Sequence, residues 1–139
     1  MNPAEIQPGL KGQVELMVGE EHTAQHLGSG AVKVLATPQM VLLMEKASVA
    51  AVDYLLPADS CTVGAYLDVR HLEPTPVGLT VRAVAELIES DGPRLTFRLQ
   101  VLEEPFGEGQ LVGDGIHQRV IVNRQRFVDR AARKMTETP

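Results

Sequence analysis

The chain has 139 residues, enough for one domain with a real core and little room for a second. Its formal charge of −5 and few aromatic residues argue against a nucleic-acid binder, which would carry a basic stripe. The single cysteine, Cys61, excludes an intrachain disulfide and fits a reducing cytoplasm.

The first eleven residues, MNPAEIQPGLK, are polar and rich in Pro and Gly; they read as a flexible arm and not as a signal peptide. Residues 13–26 contain a short alternation, Val14, Leu16 and Val18, that predicts a first strand. His22 and His26 have the spacing of a helical metal pair, but nothing places them on a helix and no third ligand lies near, so no metal site is expected. Gly28, Ser29 and Gly30 form a loop, and a short segment leads from it to Ala36.

Residues 37–56, TPQMVLLMEKASVAAVDYLL, predict the central helix. Thr37 suits a cap, Pro38 suits the first helical position, and Pro57 helps to end the helix. At about 100° per residue, Gln39, Lys46 and Asp53 share one polar stripe while almost everything else is apolar. Such a helix needs to be wrapped, and with Glu45, Lys46 and Asp53 in it, it is not a membrane span. Glu45 projects away from the polar stripe, between Val41, Val49 and Val52. A carboxylate there either snorkels to solvent at a groove edge or serves a site, because an unpaired charge on an apolar face is costly.

Beyond the helix the period changes from 3.6 to 2. In residues 61–73 the odd positions Val63, Ala65, Leu67, Val69 and His71 share the face expected to meet the core, opposite Gly64, Asp68 and Arg70. Residues 74–78, PTPVG, turn the chain. Residues 79–88 alternate again through Leu79, Val81, Ala83, Ala85 and Leu87, and Ser90-Asp91-Gly92-Pro93 signals a hairpin. Leu95, Phe97, Leu99 and Val101 continue the pattern. A polar loop at 103–109 leads to a last long strand at 111–122, and residues 123–134 predict a charged surface helix with a tail. One apolar helix with a strand before it and four antiparallel strands after it gives an α+β chain, residues 1–139 as one domain, with the sheet curled around the helix in a hot-dog fold. One copy leaves a sheet edge and part of the helix open, which predicts a homodimer.

His71 ends the apolar series on the face that looks at the helix. Taken alone it reads as a satisfied core or rim histidine. With Glu45 and Thr37 on one side of the same element it joins a base or nucleophile, a proton-transfer partner and a hydroxyl. Serine-triad, Walker A and dinucleotide motifs are all missing, and Cys61 has no nucleophile context.

The run at 36–47, ATPQMVLLMEKA, then Gly64 through His71, Pro76-Val77-Gly78-Leu79-Thr80-Val81 and Gly115-Ile116-His117-Gln118-Arg119 resembles the fluoroacetyl-CoA thioesterase family of hot-dog proteins. The resemblance runs from about Val14 to Lys134. It implies a catalytic set of Thr37, Glu45 and His71, an active-site glycine at Gly64 and a nearby arginine at Arg119. It further implies a homodimer with sites at the subunit interface, acting on an acyl-CoA substrate with no separate cofactor, no metal and no membrane. The family's lid ahead of the helix contains Phe, whereas residues 28–35 here, GSGAVKVL, contain no aromatic residue. The expected activity is therefore hydrolysis of a short or medium acyl-CoA in the cytoplasm. A hot-dog acyl-thioester hydratase or dehydratase and a non-catalytic acyl-thioester-binding dimer remain the alternatives.

Overall fold

The alternating runs become the five strands of one antiparallel sheet. In the computed structural model, which describes residues 5–106 and 110–136, they are β1 (Lys11–Met17), β2 (Ser60–His71), β3 (Thr80–Asp91), β4 (Arg94–Glu103) and β5 (Gln110–Asn123). Their order is β1-β3-β4-β5-β2, so β1 and β2 are the two edges. A short helix α1 (Ala24–Leu27) and the long α2 (Thr37–Val52) lie between β1 and β2 in the chain, and α3 (Arg124–Ala132) follows β5. The sheet curls around α2, which packs chiefly on β1 and β3. This is the hot-dog arrangement expected from the pattern.

The period-2 faces of β3 and β4 supply the core. Val81, Ala83, Ala85 and Leu87 meet Leu95, Phe97, Leu99 and Val101, all fully buried, and each large side chain contributes about 1.5–3 kcal/mol by leaving water. Asp91 pairs with Arg94 across the expected hairpin, where Gly92 takes the positive φ of 59° that the turn demands. Against this sheet α2 buries Met40, Leu43, Met44, Ala47, Ser48, Ala51 and Val52, the i, i+3, i+4 face of one helix. Gly12 allows the close approach of β1, since a Cβ there would strike the α2 backbone at Ala47 and Ala51.

Four local expectations change. The arm is docked from Ile6 onward, because Ile6 is buried in the core and the Gly9 N–H donates to the Leu87 carbonyl; residues 1–4 lie outside the described residues. The helix expected over 37–56 ends at Val52 and continues as a 3-10 turn, Asp53–Leu55. Thr37 is not its cap: Ala36 holds that position without a side-chain bond, and Thr37 is already helical. The fourth change is on β2. Its register against β5 slips between Gly64 and Tyr66, a bulge that inserts one residue. Thr62 and Gly64 therefore face α2 before the bulge, and Leu67, Val69 and His71 face it after, so the odd-position series is split and Val63 turns outward. The pairings Gly64 with Arg119, Leu67 with His117 and His71 with Gly113 carry this switch.

One chain covers only part of α2. Leu42, Lys46 and Ala50 are exposed, Val41, Glu45 and Val49 are half-exposed, and the stretch of β2 from Gly64 to Asp68 is exposed along the free edge. Among the described residues no helix is long and apolar enough to cross a membrane.

Candidate active site

Two clusters occupy the seam between α2 and β2. The first is at the start of α2, where the Thr37 Oγ1 and His71 Nδ1 share a hydrogen bond of 2.8 Å. The hydroxyl expected to cap the helix is thus directed to the end of β2. A cavity of ≈ 400 Å³ opens beside this pair, and its lining includes Val32, Val34, Leu35 and Leu72. The segment ahead of α2 therefore supplies aliphatic walls.

The second cluster lies two turns further along the helix. Glu45 is half-exposed and its Oε2 is 3.5 Å from the Arg119 Nη1, on a guanidinium that is almost wholly buried. Arg119 is held from several sides. Its Nε donates to the Thr62 Oγ1 at 2.8 Å and its Nη2 to the Thr62 carbonyl at 3.0 Å. Thr62 is fixed in turn by Asp53, which accepts from its hydroxyl at 2.6 Å and from its N–H at 3.1 Å. Asp53, placed on the polar stripe by the helical period, thus anchors the arginine from the helix end. Gly64 completes the cluster: a Cβ there would lie 3.0 Å from the Glu45 Oε2. The missing side chain leaves the β2 backbone bare beside the carboxylate. A cavity of ≈ 280 Å³ is lined here by Glu45, Gly64, Ala65, Tyr66, Leu67 and His117.

Of the five expected site residues, the fold joins Thr37 to His71 and Glu45 to Gly64 and Arg119. It does not join the two groups within one chain. Eight residues of helix separate Thr37 from Glu45, an axial rise of about 12 Å. The histidine beside the Glu45 cluster is His117, which sequence reasoning did not single out. The available signal was parity, because His117 and Arg119 are polar residues on the inward face of a strand whose neighbours there are small or apolar. His22 accepts a hydrogen bond from the Gly19 N–H at 2.9 Å, and among the described residues no group of three His, Cys, Asp or Glu side chains is placed to hold a metal.

Burial pushes the imidazoles of both His71 and His117 below the ordinary histidine value of 6.5. The unfolded chain then takes up these protons first as the pH falls. The stability they contribute is complete above 6.5 and is lost as the pH drops from 6.5 toward the lower folded values. The melting temperature should therefore fall between about pH 7.5 and about pH 5.5, above the range in which ordinary carboxylates titrate. A melting temperature that rises over that interval would contradict the assignment.

The family model described as fluoroacetyl-CoA-specific thioesterase matches residues 18–125. A fluoroacetyl-CoA thioesterase of Streptantibioticus cattleyicolor is 38% identical over 96 residues, which are 68% of this chain and 66% of that protein, just under two thirds of its length. The crystal structure of a single-site mutant of the fluoroacetyl-CoA-specific thioesterase superposes with a TM-score of 0.84 at 30% identity, covering 93% of this chain and 97% of that one. A Thermus thermophilus hypothetical protein described as a thioesterase superfamily member gives a TM-score of 0.85 at 30% identity, with 99% and 96% covered.

Proposed function

From the premise that the chain belongs to the fluoroacetyl-CoA-specific thioesterase family, we propose that it hydrolyses a short or medium acyl-CoA to the free acid and CoA in the cytoplasm. The observation that carries this reading is the placement of Thr37, His71, Glu45 and Gly64 along one seam, with an aliphatic cavity at one end and a bare backbone at the other. In the reaction, water or the Glu45 carboxylate attacks the thioester carbon. The C–S bond then breaks, and the thiolate leaves with a proton supplied through the site. As a base, Glu45 removes the proton of the attacking water; as a nucleophile, it forms an anhydride that water then opens. The backbone at Gly64 is the candidate to face the developing oxyanion.

The working unit in this reading is a homodimer. Thr37–His71 and Glu45 are too far apart within one chain to act on one carbonyl, and a second copy removes that difficulty. The unpaired edge of β2 is free to pair with the β2 of another copy, and antiparallel pairing brings the His71 end of one strand toward the Gly64 end of the other. Leu42, Tyr54, Tyr66 and Leu67, large and exposed on α2, the turn after it and β2, are the apolar surface such pairing would cover. Each site would then combine Thr37 and His71 of one subunit with a glutamate of the other.

Thiol release from a panel of acyl-CoAs tests the activity. Hydrolysis yields free thiol, hydration of an enoyl group leaves the thioester intact, and a non-catalytic binder yields neither product. With no aromatic residue at 28–35 ahead of α2, the pocket lacks aromatic packing from that segment against the acyl carbon, and a methylene-sized difference in an apolar pocket is worth about 1–3 kcal/mol. Acetyl-CoA and fluoroacetyl-CoA should therefore be hydrolysed at similar kcat/KM. A preference of several orders of magnitude for the fluorinated substrate would place the selecting group elsewhere in the chain.

A further inference from the structure

The Glu45 cluster contains one buried titratable group to which neither the reaction nor the resemblance gives a task. His117 is fully buried on β5 and packs 6.5 Å, centroid to centroid, from the ring of Phe97. Both of its nitrogens are engaged. Its Nδ1 lies 2.8 Å from the Tyr66 carbonyl oxygen. A carbonyl only accepts, so Nδ1 carries the proton. Its Nε2 lies 3.2 Å from the Arg119 Nη1. A guanidinium only donates, so Nε2 offers its lone pair. The two partners together select the neutral Nδ1–H tautomer. Burial and the neighbouring Arg119 cation oppose a second proton.

The two bonds tie the Tyr66 wall of the small cavity to the arginine beside Glu45. The Tyr66 carbonyl belongs to the bulge that turns Gly64 toward Glu45. The Arg119 Nη1 is the nitrogen that reaches Glu45. Thr62 already fixes the other two guanidinium nitrogens, so His117 supplies the remaining fixed acceptor on the side facing the carboxylate. Resting on the acyl-CoA hydrolase reading, we propose that His117 is a positioning residue that locks the β2 bulge and the Arg119 guanidinium together, and so sets the orientation of Glu45 against the bare backbone at Gly64. It does not itself take part in proton transfer to substrate, because one nitrogen is committed to a carbonyl and the other to a cation.

Three variants divide its two bonds. His117→Asn keeps an N–H close to the Nδ1 position and can still donate to the Tyr66 carbonyl. His117→Gln places its amide near the Nε2 position and can still accept from Arg119. His117→Leu keeps volume and neither bond. Misplaced catalytic geometry typically costs up to about 100-fold. The Leu variant should therefore lose on the order of 10- to 100-fold in kcat with KM close to wild type, and each amide variant should recover part of the loss. A folded Leu variant with wild-type kcat, or amide variants no better than Leu, would show that His117 is a core residue only. If the Leu variant does not fold, the amide variants and the wild type decide. Nitrogen–proton correlation spectra of the wild-type imidazoles at neutral pH should show His117 as the neutral Nδ1–H form, and a protonated ring or the opposite tautomer overturns the proposal. Thiol release by the wild type separates the two layers: none from any acyl-CoA sinks the hydrolase reading, whereas release that persists undiminished in His117→Leu sinks only the role of His117.

Discussion

Replacing Glu45 with Gln should leave a folded protein with almost no thioester hydrolysis. The substitution keeps the shape and hydrogen-bonding reach of the side chain and removes its charge, so it tests chemistry more than packing. Arg119 would lose its carboxylate neighbour but keep the Thr62 hydroxyl, the Thr62 carbonyl and His117. Because the guanidinium stays satisfied and Glu45 is half-exposed, the cost in stability should be small. The cost in turnover should be large: a general base typically contributes 10²- to 10⁴-fold, roughly, and a nucleophile contributes more. Melting temperature and single-substrate kinetics on the same preparation check both halves. A folded Glu45→Gln protein that releases thiol at the wild-type rate would end the assignment.

A larger qualitative effect is expected from mixing two inactive chains. His71→Ala and Glu45→Gln should each be nearly inactive as homodimers. If each site takes Thr37 and His71 from one subunit and its glutamate from the other, a heterodimer of the two variants contains one doubly defective site and one intact site. Differently tagged chains, co-expressed and purified as the heterodimer, should regain about half of wild-type turnover, since a two-fold dimer has two equivalent sites. A site built within one chain predicts no recovery, because every site would then carry one defect. The experiment also separates a composite site from a monomeric enzyme, which would give no heterodimer to isolate.

The reading of the core was reliable because it rests on periodicity. The inward residues of β3 and β4, and the i, i+3, i+4 face of α2, follow from how side chains alternate along a strand or recur around a helix. The same reasoning failed on β2. A bulge costs one residue of register and leaves no mark in the pattern here, since the odd positions Val63, Ala65, Leu67 and Val69 stay apolar on both sides of the inserted residue. That single inserted residue decides that Gly64 looks at Glu45. Thr37 was misread for a related reason: a threonine near a helix start suits a cap, but the nearby His71 is 34 residues away in the chain and a better partner. Asp53 belongs to the same class, because its anchoring of Thr62 requires the helix end and β2 to meet.

The layers of this protein are legible in its residue pattern: one apolar helix, five alternating strands and a shared face on which polar residues are expensive. Periodicity also marked Glu45 and His71 on apolar faces, where an unpaired polar group costs stability, and the resemblance added Gly64 and Arg119, whereas neither singled out His117. Their grouping comes from contacts between the elements. Strand register set by a bulge put Arg119 and His117 beside Glu45, and the rise of the helix put Thr37 and His71 about two turns away. Local periodicity acts over a few residues, whereas a site is assembled by contacts between elements distant in the chain, and their register depends on hydrogen bonds that no local pattern encodes.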